Sequence, residues 1–172
     1  MRLQARRTAL CGLLAALAVV FLMMGSLIPA ALYACPILAM LALLPVREEF
    51  GRSTALTAYA AVSILAVLLV PDKELALLFV FFGWYPPVQP LLDRIRPRIL
   101  QAAVKLILAN AAAVLLYSLL MWVFHLASVT EELKGITGAM LAVLLFCANI
   151  LFVLTDIVFH RIAFLWDHRR RK

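Results

Sequence analysis

Thr8-Ala9-Leu10-Cys11-Gly12-Leu13-Leu14-Ala15-Ala16-Leu17-Ala18-Val19-Val20-Phe21-Leu22-Met23-Met24-Gly25 is a run of 18 residues without a single charge. At 1.5 Å per residue a helix of this length reaches about 27 Å, close to the roughly 30 Å of bilayer hydrocarbon. Arg2, Arg6 and Arg7 precede it as the basic region of a signal peptide would, but the run exceeds the usual 7–15 residues of such peptides. Leu32-Tyr33-Ala34-Cys35 fits a lipoprotein cleavage box poorly, because Tyr33 is bulky and Pro36 follows. The expectation is an uncleaved first membrane helix.

Outward from this run the same pattern repeats. Apolar stretches occupy residues 8–25, 28–46, 54–70, 75–92, 100–126 and 136–165, separated by short breaks rich in Gly, Pro and charge. Of the 172 residues, 66% are hydrophobic and 15% are charged, against about 45–50% and about 25% in soluble domains. A soluble fold of this size cannot bury so much apolar surface, and three cysteines do not make a disulfide scaffold. Backbone polar groups in hydrocarbon must pair within the segment, so the stretches become helices. The expected fold is all-α, an integral membrane bundle of six transmembrane helices forming a single transmembrane domain over 1–172.

The basic residues set the orientation. If alternate ends are assigned to alternate sides, one side receives 14 of the 16 Lys and Arg residues and the other only Lys73 and Lys134. Positive charge accumulates on the cytoplasmic side, so both termini are expected there. The net charge of +7 then follows from topology and anionic inner-leaflet lipid, with no nucleic-acid partner required.

Polar residues inside the stretches are the candidates for function. Asn110 and Asn149 fall at similar depth, where their amides can meet as helix–helix glue or serve a ligand or gate. Asp156 and His160 share a helix face at i, i+4; counted from residue 136, Asp156 falls near the cytoplasmic interface, either as a structural group or in a proton path. Gly83-Trp84-Tyr85-Pro86-Pro87-Val88-Gln89-Pro90 must kink or unwind the fourth helix, because three prolines lack a donor N–H. The freed carbonyls need neighbouring helices, water or Gln89 as partners. Broken helices at membrane depth mark binding sites in transporters, and they also simply shape bundles.

Several chemistries are missing from the pattern. The sequence has no phosphate-binding loop, no HExxH and no GxSxG elbow, and no His or Cys stands at metal-ligand spacing beside His125. Cys11, Cys35 and Cys147 read as small hydrophobes. Neither an enzyme nor a metal or other cofactor is expected. On the first helix Gly12 and Ala16, and Cys11 and Ala15, form small-xxx-small pairs where another backbone can approach closely.

Six short helices in 172 residues, a basic start leading into the small-residue surface of residues 7–20, and the turn at 45–51 together resemble the S component of energy-coupling factor (ECF) transporters. In that family the S component is the substrate-binding membrane subunit. The resemblance implies a multi-pass protein of the bacterial inner membrane that binds a vitamin or similar small metabolite from the outer side. It also implies a separate transmembrane coupling subunit and ATPase pair as partners. By the same resemblance Gly12, Ala15 and Ala16 would dock on the coupling subunit, and Tyr33, Tyr85, Trp122 and His125 would line the ligand pocket. An early His typical of cobalt and nickel subunits is missing, so a metal cargo is not expected. The alternative is an accessory or scaffold membrane protein that acts through helix–helix contacts and binds no solute.

Overall fold

A computed structural model describes residues 2–28, 31–122 and 138–170. Among the described residues there are seven α-helices and no strand. They are α1 (Arg2–Leu27), α2 (Ala34–Phe50), α3 (Arg52–Leu69), α4 (Lys73–Phe82), α5 (Tyr85–Leu92), α6 (Arg98–Trp122) and α7 (Gly138–Arg170). Five segments are long and apolar enough to cross a membrane: Arg7–Leu27, Arg52–Leu69, Lys73–Leu92, Arg98–Leu120 and Ala142–Trp166. These five candidate spans are consistent with a multi-pass membrane protein.

The second apolar stretch, expected over 28–46, is occupied by a helix that starts and ends later. α2 covers 17 residues, about 25 Å, and carries Pro45, Arg47, Glu48 and Glu49 within it. The charges at 47–52 suggest a polar break, but charged side chains do not stop a helix. Gly51 does. Its φ of +85° lies where residues with a Cβ are strained, and its N–H donates to the Arg47 carbonyl at 3.0 Å. One residue therefore separates α2 from α3. At the other end of α3, Lys73 Nζ donates to the Val67 and Val70 carbonyls at 2.9 and 3.0 Å, closing its last turn. Asp72 caps α4 by accepting from the backbone N–H groups of Glu74 and Leu75.

The chain divides into two compact units, Met1–Leu91 with Phe159–Lys172, and Leu92–Val158. In the first unit α1, α2, α3 and α4 pack around Leu22, Leu44, Val46, Val62, Leu75 and Phe79, all but fully buried. The closest approach is at Gly25, where an added Cβ would stand 2.5 Å from Leu75 Cδ1 and 2.7 Å from Cys35 Cβ. At the opposite end of α1, Arg7 donates to the Phe50 carbonyl at 3.2 Å and to Thr54 Oγ1, and its guanidinium lies over the Phe50 ring. The start of α1 is thus tied to the α2–α3 turn, two ends that alternation along the chain assigns to one side.

Large apolar side chains remain on the outside of these helices, including Leu68 at 72% and Leu13 at 66% exposure. In water such surface would drive aggregation; against lipid tails it carries no penalty, and packing rests on shape and polar pairing instead. In the second unit the buried Leu116 and Leu120 stand one turn apart on α6.

Candidate functional site

The fourth apolar stretch is where backbone and side chains depart most from a plain helix. α4 stops at Phe82, and α5 resumes at Tyr85 with Pro86 and Pro87 in its first turn, where a missing N–H costs little. The break itself falls on Gly83-Trp84, as far up the chain as the prolines allow. Gly83 is required there: a Cβ would come within 3.0 Å of the Tyr59 ring and 2.6 Å of the Phe79 carbonyl oxygen.

Specific side chains reach carbonyls on both sides of the break. The Tyr59 hydroxyl donates to the Val80 carbonyl at 2.5 Å, and the Trp84 indole N–H to the Phe81 carbonyl at 2.6 Å. Pro90 has no N–H to offer the Pro86 carbonyl four residues earlier. Arg47 Nη1 takes that place at 2.5 Å and also donates to Gln89 Oε1 at 3.3 Å. Arg52 Nε donates to the Pro87 carbonyl at 3.2 Å. Arg47 is 7% exposed and Gln89 1%, so the Arg47 bonds to Pro86 and Gln89 are interior. Glu48 Oε1 accepts from Arg47 Nε and Nη2 at 2.8 and 2.5 Å and neutralises the guanidinium. The arrangement is a polar splint across the broken segment, built from the end of α2 and the start of α3.

The second unit handles its polar groups by pairing them with each other. Asn110 Nδ2 donates to Asn149 Oδ1 at 2.9 Å, and Asn149 Nδ2 returns a bond to Asn110 Oδ1 at 3.3 Å, so the two amides meet as their depths suggested. Lys105, 5% exposed, sets its ammonium 2.7 Å from Asp93 Oδ1 and 2.9 Å from Asp156 Oδ2. Gln101 Nε2 donates to the same Asp93 oxygen at 2.7 Å. α7 runs on to Arg170, and within the apolar segment Ala142–Trp166 Asp156 lies ten residues, about 15 Å, from the C-terminal end.

The residues singled out from the sequence have varied fates. Gly12 and Ala16 are exposed and Ala15 half-buried on one helix, α1, and a Cβ on Gly12 would meet nothing within 4 Å. Tyr33, ahead of α2, is 50% exposed, whereas Tyr85 is 4% exposed, its ring against Trp84 and Phe159 at centroid distances of 6.2 and 6.4 Å. No described contact joins Tyr33 to Tyr85. Trp122 ends α6 at 84% exposure, and His125 lies outside the described residues. An open, shallow depression lies over His160, Arg161, Phe164 and Leu165 on α7; Tyr33, Tyr85 and Trp122 do not line it. Among the described residues no group of three His, Cys, Asp or Glu could hold a metal ion.

Two groups escaped the sequence reading. Arg47 was counted only as a charge in a turn; the missing N–H of Pro90, which orphans a specific carbonyl, was the signal that a donor had to reach it. Lys105 was counted only as one of the basic residues of the inner side. An ionisable group seven residues into an apolar helix demands a partner, and Asp156 was already in view. Comparison with protein-family models, curated proteins and solved structures finds no match.

Proposed function

We propose that the chain is a non-catalytic, multi-pass subunit of the cell membrane that binds a small metabolite and docks through α1 on a transmembrane coupling partner served by an ATPase pair, as an ECF S component does. In this reading α2 completes six crossings, and both termini face the cytoplasm, where 14 of the 16 basic residues then lie. The observation that carries it is the outward face of α1. Gly12 and Ala16 leave a shallow place one turn long, flanked by the exposed Leu13, Leu17 and Val20, and in lipid such a place favours close helix contact. The splint on α4–α5 supports the same reading, since it holds an interrupted helix in a fixed shape, as binding segments of transporters require.

The test is co-purification. Gly12→Leu places a branched side chain in the shallow face and is expected to cost the assembly its coupling partner while the chain itself still inserts. An assembly that survives Gly12→Leu rules out docking by this face. A second reading, an accessory protein that binds no solute, is favoured by the closed packing of Tyr85 against Trp84 and Phe159. Mass spectrometry of the detergent-purified chain separates the two: a stoichiometric co-purifying metabolite supports the subunit reading, and its absence together with a retained protein partner supports the accessory one.

A further inference from the structure

The segment Asp93-Arg94-Ile95-Arg96-Pro97-Arg98 joins α5 to α6 and sits between two membrane-length apolar segments, Lys73–Leu92 and Arg98–Leu120. It therefore lies at a membrane surface whatever the total number of crossings. Its one acid, Asp93, is half-buried. Asp93 Oδ1 accepts from Gln101 Nε2 and pairs with Lys105 Nζ, both at 2.7 Å, so its charge is answered from within α6. Backbone bonds from the Ile95 N–H to the Leu92 carbonyl and from the Gln101 N–H to the Pro97 carbonyl, each 3.2 Å, fix the turn. Arg94, Arg96 and Arg98 are all exposed. The first turn of α6 contains no acidic residue, so the positive end of its helix dipole adds to three guanidinium groups. Ile99 and Leu100, which follow at once, are 84% and 50% exposed and supply apolar contact beside the charges.

We propose that Arg94, Arg96 and Arg98 form a docking surface for the phosphate headgroups of anionic phospholipid, with Ile99 and Leu100 against the upper acyl chains. Guanidinium forks match phosphate oxygens in pairs, and their attraction for anionic lipid falls off within about 10 Å of the surface. A charged turn fixed at the ends of two apolar segments meets that condition, and bonds from Lys105 and Gln101 hold Asp93 toward α6. The proposal depends on the membrane reading alone and is independent of whether the chain serves an importer.

The test uses the full chain in detergent, titrated with phosphatidylglycerol against phosphatidylcholine and read by native mass spectrometry. Wild type is expected to retain phosphatidylglycerol preferentially, and R94Q/R96Q/R98Q to lose on the order of a hundredfold of that preference. R94K/R96K/R98K, which keeps the charge and loses the paired forks, falls between wild type and the triple Gln variant, and each single Gln variant loses about fivefold, which reads the site even if the triple variant does not fold. Arg161→Gln, on α7, has a smaller effect than any of the three. A wild type without preference, a folded triple Gln variant that keeps it, or displacement of the lipid by excess inorganic phosphate each overturns the proposal, the last by assigning the site to a free anion.

Discussion

The two units solve one problem in two ways. Apolar surroundings penalise every unpaired polar group, whether backbone or side chain. In the first unit the groups served are backbone carbonyls at and after the α4–α5 break, one of them, Pro86, deprived of its helical donor by Pro90, and side chains from other helices (Arg47, Arg52, Tyr59) come to them. In the second unit α6 and α7 are unbroken helices, and the groups needing partners are side chains. There Lys105 takes Asp93 and Asp156, and Asn110 takes Asn149. Side-chain pairs can be removed together and leave no debt behind, whereas a splinted carbonyl remains after its donor is gone.

That difference can be broken first at Lys105. Lys105→Met leaves two carboxylates without their shared ammonium and is expected to cost about 3–5 kcal/mol, measured as loss of the folded form in a denaturant titration in detergent. Adding Asp93→Asn and Asp156→Asn should return much of it, because no charge is then left behind. Arg47→Met is expected to cost about 3 kcal/mol by the same measurement, since Pro86 and Gln89 both lose a charged donor in the interior. Here the rescue is different in kind. Pro90→Ala supplies the missing N–H to the Pro86 carbonyl, so Arg47→Met should cost markedly less in that background; equal costs in both backgrounds would show that Arg47 does not serve the orphaned carbonyl.

Gly83→Ala sharpens the first unit further. Its methyl meets the Tyr59 ring and the Phe79 carbonyl, and about 1–3 kcal/mol of strain is expected, with Tyr59→Ala relieving part of it. The smallest effect belongs to Asn110→Leu, about 0.6 kcal/mol, because a membrane helix that loses one amide partner readily finds another acceptor. A cost above about 2 kcal/mol there would mean that the pair does more than join α6 to α7.

Much of this was legible from residue type and spacing. Long uncharged runs force helices in a medium that cannot hydrogen-bond, so the all-helical architecture follows from stretches such as 8–25. An interruption within 83–90 is expected from prolines that lack N–H groups and falls at Gly83-Trp84, and the meeting of Asn110 with Asn149 follows from counting rises of 1.5 Å. What spacing could not give was which donor reaches which orphan. Arg47 and Pro86 are 39 residues apart, and Lys105 and Asp156 are 51 apart. Such pairings depend on how helices are rotated about their axes, and uniformly apolar helices carry little periodic signal for rotation. The end of α2 was misjudged for a local reason: Arg47-Glu48-Glu49 look like a turn, yet only Gly51 has the backbone freedom to make one. For the candidate binding residues the sequence supplied resemblance alone, and Tyr33 and Tyr85 prove to have opposite surroundings, one half open and one closed.

The order of residues around Lys105 also bears on how the chain is made. Synthesis proceeds from the N-terminus, so Lys105 and Asp93 leave the ribosome before Asp156, 51 residues downstream of Lys105. A lone lysine in an inserting helix resists partition by up to about 2.5–3.5 kcal/mol. Asp93 precedes it and already stands within 2.7 Å of its ammonium in the finished protein. The upstream carboxylate is thus at hand for Lys105 first, and the downstream one joins it once α7 has formed.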